Sequence, residues 1–164
     1  FAPPASAFDL VSGGDTVVLR SFSKAYGLAG MRVGWGYFPD AILSEVQKTM
    51  PPNGLTAPSL AAAAAAMRDQ RWMQVTVATT TARRERFCDR LRRAGLDVPA
   101  SHANFALIGF GSAALTVRVD AALRREGIVL RGMASYGLPD RLRATIGAED
   151  DMTRAAAIIE SCLS

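Results

Sequence analysis

The sequence has few of the residues that build metal centres and disulfide frameworks. Its 164 residues include two cysteines and one histidine. Cys88 and Cys162 lie far apart, outside any Cys-x-x-Cys pair. Because transition-metal sites and disulfide scaffolds need clustered Cys and His residues, we expect neither here. The sparse cysteines indicate a protein of a reducing compartment, the cytoplasm.

Long apolar runs are also missing. The longest, 60–67, is eight residues of mostly alanine, whereas a helix that crosses a bilayer needs about 20. The net charge is +4, and six arginines fall between 83 and 93. Because aromatic residues do not alternate with these arginines, we interpret 83–93 as the solvated face of a helix. We therefore expect neither a membrane nor a nucleic acid as a partner.

The chain contains enough apolar residues, 49% of the total, to bury a core. Strand and helix patterns alternate along it, which is typical of an α/β fold. The predicted strands are 15–20, 32–38, 104–110, 128–130 and 142–146, and the predicted helices are 40–49, 57–68, 72–93, 115–126 and 150–162. Trp35 falls inside a predicted strand beside glycines, so we expect it in the core.

The segment after the first predicted strand, 21–32, reads SFSKAYGLAGMR. Lys24 follows the strand end, where a neutral amine can bond covalently to an aldehyde cofactor. Ser21, Ser23 and Arg32 supply the hydroxyl and guanidinium donors that a phosphate dianion requires. A lone loop lysine would be interpreted as a surface residue, but this combination predicts a site for pyridoxal 5'-phosphate.

The same segment resembles the cofactor-lysine motif of fold-type I, class I/II aminotransferases, most closely the histidinol-phosphate aminotransferase group. Further similar segments follow in the order of that family, at 52–53, 101–105, 127–131 and 142–147. The resemblance implies the carboxyl-terminal part of a pyridoxal-phosphate-dependent transferase fold, the end of a large-domain sheet plus a small α/β domain. Residues 1–75 would complete the large domain and 76–164 would form the small one, with a helix over about 72–93 bridging them.

The resemblance also assigns roles to residues. It implies that Ser21, Ser23, Lys24 and Arg32 bind the cofactor, and that Lys24 performs the catalytic proton transfers. Arg143 would hold the substrate carboxylate, and Arg131, near the distal end of the substrate, would suit a phosphate. The sequence supports Arg143 independently, because an unpaired cation inside the apolar strand 142–146 requires a carboxylate from the protein or from a ligand.

Several other residues allow more than one interpretation. The lone His102 could be a general base, but a loop or capping role is favoured because Lys24 already covers the proton transfers. Tyr26 and Tyr136 either line the site or pack. Gly132, Trp35 and Ala148 depart from the residues common in the family, so the substrate stays open. A decarboxylase of a phosphorylated amino acid and an inert module that packs on a partner are the alternatives.

The family's partner for the pyridine nitrogen would precede Phe1. We therefore expect the chain to be the carboxyl-terminal half of an enzyme that transfers an amino group between an amino compound and a 2-oxo acid in histidine biosynthesis. The resemblance further implies a homodimer with active sites near the subunit interface.

Overall fold

The computed structural model describes residues 7–163, which divide into two compact units between Val77 and Ala78. The strands are β1 (Val18–Ser21), β2 (Gly34–Tyr37), β3 (Phe105–Gly109), β4 (Arg131–Gly132) and β5 (Arg141–Thr145). The helices are α1 (Asp40–Thr49), α2 (Ala57–Arg68), α3 (Gln70–Arg93), α4 (Ala113–Arg125) and α5 (Glu149–Ser161). Helix α3 begins in one unit and ends in the other. The assignment of these units to a large and a small domain stays a prediction.

The amino-terminal unit is built around an antiparallel pair of strands. β1 pairs with β2 so that Ser21 lies opposite Gly34. A Cβ atom at Gly34 would lie 2.7 Å from the carbonyl oxygen of Arg20, so only glycine allows this close approach of the two backbones. Phe22 and Val33, at the two ends of the connecting loop, are buried together with Ala63 of α2. The loop between the strands is thus anchored on an alanine-rich helix.

The carboxyl-terminal unit consists of a three-stranded antiparallel sheet and helices. The strand order is β3-β5-β4. Leu142 and Ala144 of β5 are fully buried, and they pack with apolar residues of α3, α4 and α5. Because side chains alternate along a strand, Arg141 and Arg143 lie on the opposite face of this sheet. The core therefore covers one face and leaves the arginines on the other.

The strand predicted over 128–130 is wrong, because sheet pairing begins only at Arg131, which lies opposite Arg143. The backbone N–H of Ile128 instead donates to the carbonyl oxygen of Leu123 at 2.9 Å and closes helix α4. Leu130 is nevertheless buried. An apolar segment that packs on the core as a loop has the same sequence pattern as a short strand.

The solvated arginine face predicted for α3 is present only in part: Arg86, Arg92 and Arg93 are exposed, but Arg84 is buried and Arg90 is partly buried. The side chain of Arg84 is buried, and its Nη1 donates to the carbonyl oxygen of Ala103 at 2.9 Å. Arg90 makes a bidentate ion pair with Glu160, in which Nη2 of Arg90 lies 2.6 Å from Oε2 of Glu160. This hydrogen-bonded guanidinium lowers the pKa of the Glu160 carboxyl. Arg84 and Arg90 thus bind the carboxyl-terminal part of α3 to other segments of the carboxyl-terminal unit.

Trp35 is also placed differently from the prediction. Its side chain is 40% exposed, and its ring stacks on that of Phe8 with centroids 5.9 Å apart.

Within residues 7–163 no helix combines the length and the apolar character that a membrane span needs. The same residues contain no group of three or more His, Cys, Asp or Glu side chains placed to hold a metal ion.

Candidate functional site

The loop over 22–33 carries the predicted cofactor lysine. Its ends are joined by a hydrogen bond from the N–H of Phe22 to the carbonyl oxygen of Val33 (3.3 Å), and the N–H of Leu28 donates back to the carbonyl oxygen of Phe22 (3.0 Å). Inside this closure, the N–H of Gly27 donates to the carbonyl oxygen of Lys24 at 2.9 Å. Lys24 therefore lies in a turn directly after β1, where the sequence predicts it.

The aromatic side chains of Phe22, Tyr26 and Trp72 pack around this turn. The rings of Phe22 and Tyr26 contact each other with centroids 4.9 Å apart. Gly27 has a φ of +69°, and a Cβ atom there would lie 3.1 Å from the ring of Trp72. Glycine is therefore favoured at 27 by its backbone conformation and by the packing of Trp72. Tyr26 and Trp72 thus support the turn, while the side chain of Lys24 is exposed.

Lys24 and Lys48 are the two lysines of the chain, and their surroundings differ. The ammonium group of Lys48 pairs with the carboxylate of Glu45 at 2.6 Å on the exposed side of α1. The side chain of Lys24 makes no ion pair or hydrogen bond with any residue in 7–163. Its amine is therefore available to a ligand.

The predicted phosphate-binding residues lie on the same loop or at its edge. The N–H of Ser23 donates to Oγ of Ser21 at 3.0 Å, which leaves the Ser21 hydroxyl proton for another acceptor. Nη1 of Arg32 donates to the carbonyl oxygen of Ala29 at 2.8 Å. The guanidinium retains further N–H donors. Two hydroxyls and a guanidinium fit the oxygens of a phosphate dianion, so this donor set suits pyridoxal phosphate.

Arg32 has a backbone conformation that sequence reasoning did not predict. Its φ of 49° and ψ of 46° lie in the left-handed region, and among residues 7–163 it is the one non-glycine residue with a positive φ. For an L-residue this conformation costs about 1 to 2 kcal/mol. Such strain persists where the surroundings hold it in place, often at functional sites.

The contact that holds this part of the loop was also missed. Oγ of Ser59, in the first turn of α2, donates to the carbonyl oxygen of Met31 at 2.7 Å, and the Ser59 residue is 6% exposed. Oγ1 of Thr56, the residue that caps α2, lies 2.9 Å from Oγ of Ser59. The sequence contains a signal for the helix cap, the Thr56 hydroxyl before Pro58, but none for the contact with Met31.

The second group of predicted residues lies in the carboxyl-terminal unit. Arg143 has its guanidinium carbon 5.0 Å from the ring centroid of Phe105. Its Nε is buried and has no hydrogen-bond partner among the described residues. Arg131 donates from Nη2 to the hydroxyl oxygen of Tyr136 at 2.8 Å. Both arginines line a cleft of about 360 Å³.

The charged side chains that line the cleft give it a net positive charge. The carboxylate partner that we expect for Arg143 is not supplied by residues 7–163, and Arg131 has no ion pair there. The other charged side chains at the cleft are one carboxylate, Asp151, and Arg154. His102, for which the sequence allowed a role as general base, is exposed in the loop before β3. A ligand carboxylate or phosphate would compensate the arginines and supply the missing acceptor for Nε of Arg143.

Comparison with known proteins identifies the family to which the chain belongs. The profile of the family "Aminotransferase class I and II" matches residues 2–159. Histidinol-phosphate aminotransferase of Jannaschia sp. is 41% identical over 157 residues, which cover 95% of this chain and 44% of that protein. The corresponding enzyme of Roseobacter denitrificans is 39% identical over 146 residues, or 88% of this chain and 41% of that protein.

A solved structure supports the predicted fold class. The histidinol-phosphate aminotransferase of Sinorhizobium meliloti, determined in complex with pyridoxal-5'-phosphate, superposes with a TM-score of 0.81 at 26% identity. The match covers 93% of this chain and 42% of that one. The chain thus spans less than half the length of these relatives. With the family profile matched over nearly its whole length, the chain belongs to the class I and II aminotransferases.

Proposed function

We propose that the full-length protein, at the length of its relatives, is an aminotransferase that uses pyridoxal phosphate. It exchanges an amino group between histidinol phosphate, or a related amino compound, and a 2-oxo acid. The observation that carries this proposal is the loop between β1 and β2. There the unpaired amine of Lys24 follows Ser21 and Ser23, and Arg32 closes the same loop in a strained conformation.

Each residue of the loop has a distinct role in the proposal. Pyridoxal phosphate, when bound, supplies an electron sink for the bonds at the substrate carbon that carries the amino group. Ser21, Ser23 and Arg32 bind the phosphate and fix the position of the ring. Nζ of Lys24 holds the cofactor covalently in the resting protein, and during turnover it moves the proton of the substrate carbon as a general base and acid.

The two arginines of the carboxyl-terminal unit bind the substrate. Amino donors and 2-oxo acids carry an α-carboxylate, and the guanidinium of Arg143 binds this group and orients the substrate. Histidinol phosphate has an alcohol in place of the carboxylate. For this substrate Arg131 provides the main contact, with the phosphate.

The proposal also covers features outside the chain. In this proposal the carboxylate that pairs with the pyridine nitrogen comes from outside this chain, which covers 44% of the length of the Jannaschia relative. The full-length protein forms a homodimer in the cytoplasm. Support for the dimer is the family membership alone.

Borohydride reduction tests the cofactor assignment directly. The full-length protein is incubated with pyridoxal phosphate, reduced and digested, and the phosphopyridoxyl group is located by mass spectrometry. We expect the label on Lys24 in the wild type and in Lys48→Ala, and no label at this site in Lys24→Ala. A label on Lys48, or none in the wild type, contradicts the assignment.

A second assay tests the reaction. Wild-type protein is supplied with glutamate and the 2-oxo form of each candidate substrate, and the aminated product is measured. Lys24→Ala, which should fold normally because an exposed lysine contributes little burial, should lose this activity. Release of carbon dioxide from a phosphorylated amino acid without amino transfer would support the decarboxylase alternative instead.

A further inference from the structure

A buried hydroxyl outside the cofactor loop is bonded to it. Ser59 lies in the first turn of α2, and its Oγ donates to the carbonyl oxygen of Met31 at 2.7 Å. The residue is 6% exposed, so water does not compete for this bond. Met31 immediately precedes Arg32, so the bond is made to the carbonyl group next to the residue with the left-handed backbone.

The direction of each hydrogen bond in this group follows from the chemistry. A carbonyl oxygen only accepts, so the single hydroxyl proton of Ser59 is directed at Met31. The hydroxyl of Thr56, 2.9 Å away, must then donate to Oγ of Ser59. Oγ1 of Thr56 in turn accepts from the N–H of Ser59 at 3.3 Å. The chain from Thr56 through Ser59 to Met31 is fully satisfied, which favours a single rigid arrangement.

The Met31 carbonyl belongs to the peptide plane that joins Met31 to Arg32. Holding its oxygen therefore restricts the φ of Arg32, the angle that lies in the left-handed region at 49°. The side-chain bond from Arg32 to the carbonyl oxygen of Ala29 does not involve this plane. The buried cluster of Phe22, Val33 and Ala63 contains the residues at the two ends of the loop and neither residue of this peptide.

We propose that Ser59 is a positioning residue for the cofactor phosphate, acting through the peptide between Met31 and Arg32. Its hydroxyl holds Arg32 in the left-handed conformation from which the guanidinium meets the phosphate. The inference rests on the proposed function, in which Arg32 binds that phosphate. Strain at Arg32 then serves to orient a binding group before the ligand arrives.

Pyridoxal phosphate and pyridoxal differ only in the phosphate, so comparing their binding distinguishes a positioning role of Ser59 from a general effect on protein stability. We would measure the Kd of the cofactor-free, full-length protein for pyridoxal phosphate and for pyridoxal by equilibrium dialysis. Ser59→Ala should raise the Kd for pyridoxal phosphate about tenfold, the effect of one buried hydrogen bond. The Kd for pyridoxal should change less than about twofold, because pyridoxal has no phosphate for Arg32 to bind.

Control variants exclude a simple loss of helix stability. Ser44→Ala removes a serine of α1 whose hydroxyl bonds only within its own helix, to the carbonyl oxygen of Ala41. It should leave both Kd values unchanged. Thr56→Val removes the cap of α2 but keeps the bond from Ser59 to Met31. It should lower the melting temperature and weaken pyridoxal phosphate binding less than Ser59→Ala does.

The double variant Arg32→Ala with Ser59→Ala provides the decisive comparison. If Ser59 acts through Arg32, its replacement has no further effect on the Kd for pyridoxal phosphate once Arg32 is gone. A loss that persists in the Arg32→Ala background, or one that is equal for both aldehydes, overturns the proposal. Ser59→Cys should also raise the Kd for pyridoxal phosphate and not that for pyridoxal, but by a smaller factor. If Ser59→Ala fails to fold, Ser59→Cys is used in its place.

The same measurements distinguish this inference from the proposed function. A wild-type protein that binds pyridoxal phosphate no better than pyridoxal, or that carries no label on Lys24, overturns the cofactor assignment and the role of Ser59 together. A wild-type protein that passes both tests while Ser59→Ala binds normally overturns only the role of Ser59.

Discussion

Arg131 and Arg143 lie directly opposite each other on the neighbouring strands β4 and β5. Like charges in such cross-strand pairs destabilise a sheet. Each cation lies against an aromatic ring instead of a carboxylate, Arg143 on Phe105 and Arg131 on Tyr136. This pairing of two cations without a carboxylate supports the proposal that they bind an anionic ligand.

The first prediction concerns Arg143. In the full-length protein, Arg143→Ala should raise the KM for every amino donor with an α-carboxylate, because the variant loses a charge-assisted bond. The loss in kcat/KM should correspond to roughly 2 to 4 kcal/mol. Steady-state kinetics with a series of donors measures it.

Arg141→Ala is the matched control for this prediction. Arg141 lies two positions away on the same strand and pairs with Asp97 at 2.7 Å. Its replacement should lower stability slightly and leave donor kinetics unchanged. Unaltered kinetics in Arg143→Ala, or an equal loss in Arg141→Ala, would reject the assignment of the carboxylate to Arg143.

The second prediction concerns Arg131 and its support, Tyr136. Arg131→Ala should weaken phosphorylated substrates selectively, since the guanidinium is proposed to bind their phosphate. Tyr136→Phe keeps the ring but removes the hydroxyl that accepts from Arg131 at 2.8 Å. It should raise the KM for phosphorylated substrates about threefold to tenfold, with donors unaffected. A uniform loss across substrates would indicate a packing role for both residues.

The cofactor loop could be predicted because its chemistry is contiguous. Ser21, Ser23, Lys24 and Arg32 fall within one short segment, so residue types and spacing were sufficient to predict that they lie at a strand end and on the loop after it. The support of that loop could not be predicted in the same way. Ser59 reaches Met31 through a contact between residues far apart in sequence, and no local pattern specifies such a bond.

The helix bounds were predicted from the sequence more accurately than the burial of individual side chains. The helix predicted over 57–68 agrees with Ala57–Arg68, because the cap and the alanine run are local signals. Arg84 was expected in solvent, but a long side chain can lie along apolar surface and bond a distant carbonyl oxygen. Trp35 was expected in the core, yet it stacks on Phe8 and remains partly exposed. Both errors arise from tertiary contacts that periodicity does not encode.

The third prediction is a pH dependence of stability that involves Glu160. Its hydrogen bonds with Arg90 lower its pKa in the folded protein. A carboxyl with a lowered folded pKa stabilises the fold fully above its unfolded pKa, about 4.3, and loses this contribution as pH falls through the folded value. Glu160→Gln should therefore lower the melting temperature at pH 7 and lower it less near pH 3.

The expected difference at pH 7 is small, about 1 to 3 °C, because the side chains of the pair are each 34% exposed and solvent screens their charges. Glu126→Gln serves as the control, since Glu126 is exposed and makes no ion pair within residues 7–163. Thermal denaturation of the three proteins between pH 3 and 7 measures the effect. An identical destabilisation at both ends of this range would show that the pair does not respond to protonation of Glu160.

The last prediction concerns the isolated 164-residue chain. β1 and β2 form a sheet of only two strands among the described residues, and such a sheet is marginally stable by itself. Large apolar side chains are exposed on it, Leu19 at 67% and Tyr37 at 51%. Exposed apolar groups and unpaired strand edges favour association. The isolated chain should therefore self-associate and show no measurable amino transfer, whereas the full-length protein should be a homodimer.

Size-exclusion chromatography with light scattering tests this prediction on both proteins. Leu19→Lys should reduce association of the isolated chain, because it places a charge on the exposed strand. Val117→Lys is the control: Val117 is 69% exposed on α4, in the other unit, and the change there should leave association as it was. A monomeric isolated chain that transfers amino groups would contradict both the expected association and the dependence of catalysis on the remainder of the protein.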